Sequence, residues 1–173
     1  MDGGPVTGAL PHDLIHFTVE RPLGMPDGIW GAVAAGAVFQ SMRHHSGRRP
    51  PHAAQRSAAL IRVNRDRLQR AELIGGFVER IAAMPEPTVA RIAQFAKIFL
   101  ATLPDGDIDP QRAAAAAVAV REMGLRWRAL SVGDEFSVDW PAQLRMPTIS
   151  LVHAERRRPG APVRRTRAAR RHA

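Results

Sequence analysis

The chain has 173 residues, a formal net charge of +9, and neither Cys nor Tyr. That length suits one domain with a core, plus a tail. The missing Cys excludes disulfides, thiolate metal sites and cysteine nucleophiles, and the missing Tyr excludes a phenolic acid or base.

Residues 1–9 are Gly-rich and are expected to be disordered. No basic segment leads into a long apolar run there, and the longest apolar run, residues 29–39, is short and Gly-rich. The expectation is a cytoplasmic protein with no signal peptide and no transmembrane segment.

A helix is predicted from Leu10 to about Gly24. Pro11 suits a first helical turn, Asp13 complements the helix dipole, and Pro22 and Gly24 close the element. With His12 at zero, His16 falls at about 40°, Glu20 at about 80° and Asp13 at about 100° round the helix. These four form one polar stripe. Leu10, Leu14 and Phe17 lie behind it, and Ile15 and Val19 lie beside it. Such a helix is expected to be mostly buried, with its polar stripe lining a cleft or facing water. His12 and His16, one turn apart, can point at one divalent metal ion, with Glu20 as third ligand and Asp13 orienting an imidazole or ligating. Without a metal, either His can serve as an acid or base near neutral pH. The structural alternative is a polar stripe to water, with Asp13 serving only the dipole.

Residues 25–28 read as a turn, and 29–42 as a second helix dense in Gly and Ala. Residues 43–52 read as a solvated loop carrying His44, His45 and His52. Residues 53–84 read as one long helix or two shorter ones, with a kink or split expected at Gly75-Gly76. Glu72 and Glu79 are expected on a solvated face, paired with Arg62, Arg65, Arg67 and Arg70. Pro85 and Pro87 introduce the next helix, with Thr88 in its first turn, and 103–106 stop it. Asp109 is the expected N-cap of a further helix, Pro110 its first residue and Gly124 the residue just past its end. Alternation of Trp127 and Ala129, then of Phe136, Val138 and Trp140, predicts a β-hairpin capping the core, and 148–153 a third short strand. Residues 154–173 hold eight Arg and few bulky hydrophobes and read as a disordered tail. Arg156, Arg157, Arg158, Arg164, Arg165, Arg167, Arg170 and Arg171 could attach nucleic acid or an acidic partner through charge alone.

The expected fold is mainly α: about five packed helices over 10–153, a small C-terminal β-hairpin or three-stranded antiparallel element at about 126–153, and the basic tail. No Walker loop, GxSxG elbow or HExxH motif is present.

The run His12-Asp13-Leu14-Ile15-His16 resembles the HDxxH core of the zinc-binding ubiquinone-biosynthesis family, a helical, membrane-associated family acting on the quinone head group. The resemblance implies a zinc ion held by His12 and His16. In that family a Glu follows the second His by twelve residues; here that position is Gly28, and Glu20 would have to serve instead. The wider segment, HDLIHFTVE to GIWGAVAAGAVF, resembles a group of short uncharacterised bacterial proteins, which implies no activity. The function expected is a divalent-metal or acid/base cleft on the His12/His16 helix. The alternative is a non-enzymatic interaction module attached through the Arg-rich tail.

Overall fold

Along residues 65–83 the positions Leu68, Ala71, Ile74, Phe77, Val78 and Ile81 recur three or four apart, and all are buried. A stripe of that period makes one helix face, and each fully buried Leu, Ile, Phe or Val side chain in it contributes about 1.5–3 kcal/mol. The computed structural model describes residues 9–40, 42, 50–103 and 108–147. They form six α-helices: α1 (His12–Leu23), α2 (Ile29–Ala34), α3 (Ala53–Val63), α4 (Arg65–Ala83), α5 (Val89–Phe99) and α6 (Pro110–Arg128), followed by a 3-10 turn at Ala142–Leu144.

Helices α1, α4 and α6 each pack on the other two, and α5 packs on α6 and α4. Between α4 and α5 the rings of Phe77 and Phe95 stack 5.3 Å apart, with Phe99 beside both. Ala113, Ala116 and Ala117 on α6 are buried, and such small side chains let its neighbours approach closely. No helix among the described residues is long and apolar enough to cross a membrane.

Local chemistry explains several helix ends. Gly24 closes α1 in the left-handed region at φ 65°, and its N–H donates to the Arg21 carbonyl at 3.2 Å. Gly36, at φ 104°, turns the chain after α2, which is why that helix stops well short of residue 42. The 53–84 segment divides at Asn64, not at the glycine pair. Asn64 is buried, and its Nδ2 donates to the Leu60 carbonyl at 2.9 Å. Thr88 caps α5 by accepting from the Arg91 N–H. Asp109 caps α6, its Oδ1 accepting from the Gln111 N–H at 2.9 Å, with Pro110 in the first position. Asp109→Ala is expected to lower stability by about 1 kcal/mol in urea unfolding.

The expected β-hairpin is a correction: among the described residues there is no strand. Helix α6 runs through Gly124 to Arg128, so Trp127 and Ala129, read as strand positions, lie in its last turn and its C-cap. Gly124 is buried against neighbours inside that helix. The Val132-Gly133-Asp134 turn does form, with Gly133 at φ 100° and the Ser131 N–H donating to Asp134 Oδ2 at 2.7 Å. A helix enters that turn, so the extended chain leaving it has no partner strand. The alternation survives as a strap: Phe136, Val138 and Trp140 are half-buried, while Glu135, Ser137 and Asp139 are exposed. Phe136 meets Trp127, and Trp140 meets Phe17 and Trp30. Met146 then anchors the strap, nearly fully buried, with its N–H donating to the Gly31 carbonyl at 3.0 Å. The loop histidines His44 and His45, the 148–153 strand and the Arg-rich tail lie outside the described residues.

Candidate metal centre

Every residue of α1 from Leu14 to Glu20 is buried, including His16 and Glu20 at 1 % exposure each. A buried imidazole needs partners on both nitrogens, or desolvation makes it costly. His16 has them. Its Nδ1 lies 3.0 Å from Glu20 Oε1, and its Nε2 lies 3.2 Å from Glu72 Oε2 on α4. Gly75 makes room, because a Cβ there would sit 3.0 Å from His16 Cε1. The glycine pair thus serves close approach within a continuous helix.

Glu20 also accepts two backbone hydrogen bonds. Its Oε1 accepts from the Ile29 N–H and its Oε2 from the Trp30 N–H, both at 2.9 Å. These are the first residues of α2, whose own N-cap, Gly28, has no side chain to offer. Glu20 therefore caps α2 from α1, and Gly28 is required by it: a Cβ there would stand 2.4 Å from the Glu20 carboxylate carbon. Two backbone N–H groups already donate to this carboxylate, so it acts as an acceptor, and its pairing with His16 calls for a proton on Nδ1. In the protonated ring Nε2 donates to Glu72 as well; in the neutral ring with its proton on Nδ1, the Nε2 lone pair faces Glu72.

His12 completes the group. Its Nε2 lies 3.4 Å from the same Glu72 Oε2, and its ring meets the His16 ring edge-on at 4.6 Å. One ligating atom from each of His12, His16 and Glu72 lies within 4.8 Å of the other two, so the group could hold a metal ion. Zinc held tetrahedrally at about 2.0–2.1 Å spaces its ligand atoms about 3.3–3.4 Å apart, close to the two His–Glu72 distances. His16 is buried, while the side chains of His12 and Glu72 are 65 % and 48 % exposed. One wall of the site is fixed and the other opens to water. Two surface hollows elsewhere, one beside Ile15 and Val120 and one beside Arg70 and Arg112, are lined by none of the three ligands.

No family model, curated protein or solved structure matches this chain.

Of the four residues singled out in the sequence, His12 and His16 come together. Glu20 meets His16 at Nδ1, the nitrogen facing away from Glu72, with both of its oxygens engaged. Asp13 contributes its backbone carbonyl, which accepts from Trp30 Nε1 at 2.7 Å. The residue missed was Glu72. It is 56 positions from His16, so no local spacing could bring it in. The one local signal was a glycine pair inside an otherwise regular helix, which marks a close neighbour as well as a kink.

Burial lowers the His16 pKa, but the hydrogen bonds and charges of Glu20 and Glu72 together outweigh it, leaving the value raised above 6.5. Protonated His16 therefore stabilises the metal-free fold in full below about pH 6.5, and this contribution is lost as pH rises through the folded value. The metal-free protein is expected to lose urea stability as pH rises above about 6.5 more steeply than a His16→Asn variant. Metal binding runs the other way, because the ion competes with the proton on Nε2 and tightens as pH rises.

Proposed function

We propose that the protein binds one divalent metal ion, zinc by preference, through His12 Nε2, His16 Nε2 and a Glu72 oxygen. At least one coordination position is left open to solvent. The observation that carries this is the convergence of three ligating side chains from two packed helices on one point, with one imidazole already oriented by a buried carboxylate. A His-metal site gains basicity and a fixed tautomer from such a carboxylate. Two His and one Glu with an open fourth position is the ligand set of hydrolytic zinc sites, where the ion polarises a substrate oxygen or activates water. The HDxxH resemblance points to the same two histidines. In this reading the acid absent at Gly28 is supplied by Glu72, from another helix.

The test is metal content by mass spectrometry on untagged protein purified without chelating resin, beside a His12→Ala/His16→Ala variant. The reading expects about one equivalent of metal in the parent and none in the variant. No metal in the parent after incubation with zinc, with the protein folded, overturns it.

A further inference from the structure

We propose that metal occupancy and the seating of α2 with the strap of residues 129–147 are one coupled equilibrium, and that Glu20 is the positioning residue linking them. This rests on the metal reading above. The physical link is a continuous set of contacts. His16 Nδ1 meets Glu20 Oε1, and the same oxygen accepts from the Ile29 N–H, while Oε2 accepts from the Trp30 N–H. Trp30 stacks on Trp140 at 6.1 Å, and both rings meet Phe17. One residue on, the Gly31 carbonyl accepts the Met146 N–H.

A neutral imidazole can place its single proton on either nitrogen. With the proton on Nε2, the Nδ1 lone pair would face the Glu20 carboxylate and repel it. A metal ion on Nε2 leaves the proton only Nδ1, aimed at Glu20. The protonated ring also keeps a proton on Nδ1, so the selection acts where metal-free His16 is neutral: there occupancy removes the tautomer that turns a lone pair on Glu20. The short α2 has no side-chain cap of its own and takes Glu20 in its place. The strap, with no partner strand, rests on α2 through Trp30 and the Gly31 carbonyl as well as on Phe17 and Trp127. By linkage, whatever metal does to the strap, the strap does to metal affinity.

The experiment titrates metal-free protein with zinc ions alone. It follows binding by competition with a chromophoric chelator, and backbone amide exchange by mass spectrometry. Zinc is expected to slow exchange at Ile29 and Trp30 and across residues 140–146. Trp140→Ala touches no ligand and is expected to bind zinc at least about 5-fold more weakly. Glu20→Gln is expected to weaken binding about 10–100-fold and to abolish the zinc-dependent protection. Zinc binding with unchanged exchange in both segments, or unchanged affinity in Trp140→Ala, overturns the coupling while the metal centre stands. No zinc binding at all is seen in the competition assay alone and overturns the metal reading, and the coupling with it.

Discussion

Glu20→Ala is expected to lower stability by about 3–5 kcal/mol in urea unfolding, the range for removing one partner of a buried, hydrogen-bonded pair. Three donors lose their acceptor at once: His16 Nδ1 and the Ile29 and Trp30 N–H groups. Stranded buried donors are more costly than the net value of the bonds they made. Gly28→Ala is destabilising for a related reason, since its Cβ would stand 2.4 Å from the Glu20 carboxylate carbon and 2.4 Å from Oε2. Overpacking of this kind costs about 1–3 kcal/mol. The two effects share one cause, so they should not add. In the Glu20→Ala background the clash partner is gone, and Gly28→Ala should cost well under its value in the parent. The check is a double-mutant cycle by urea unfolding. Additive losses would show that Gly28 is needed for something other than room for Glu20.

Much of this arrangement was legible from residue order, and the reasons are local. Burial along α1 follows from apolar positions on both sides of its polar stripe. Asp109-Pro110 announces the start of α6, and Asp109 acts there through its own side chain. Local chemistry failed where tertiary contacts decide. Gly124 looks like a helix end, yet α6 continues past it, since one glycine costs a helix about 1 kcal/mol and packing easily outweighs that. Phe136, Val138 and Trp140 do alternate inward and outward, but alternation specifies an extended chain with one covered face. It does not specify a partner strand; here the covering surface is helical.

The site divides the same way. His12 and His16 share a helix, so their spacing suffices to pair them. Glu20 lies on the same stripe, and spacing alone cannot separate a ligand from a residue that orients one. The separation comes from Gly28 and α2, whose backbone N–H groups take both Glu20 oxygens. Glu72 enters from α4, and only the packing of α1 on α4 shows that this half-exposed acid faces the histidines and not the arginines of its own helix.

Glu72 therefore gives the cleanest separation of metal binding from folding. His16→Ala opens a buried site, so loss of metal there is confounded with loss of structure. Glu72 is half-exposed, so its contact to His12 is of the kind that contributes about 0–1 kcal/mol at a surface, but it is also the partner of the buried His16 Nε2. Metal-free Glu72→Ala should lose about 1–3 kcal/mol in urea unfolding, less than Glu20→Ala, and stay folded. Its zinc affinity should nevertheless fall more than about 100-fold, because even the residues that merely orient zinc ligands cost 10–100-fold when removed. Asp13→Asn should leave affinity within about 3-fold, since the contact Asp13 makes is through its backbone. Chelator competition on the three proteins measures all of this. Parent-like zinc affinity in Glu72→Ala would remove Glu72 from the ligand set. The carboxylate would then have to come from Glu20, at the expense of the α2 cap, and zinc would speed amide exchange at Ile29 and Trp30 where coordination by Glu72 slows it.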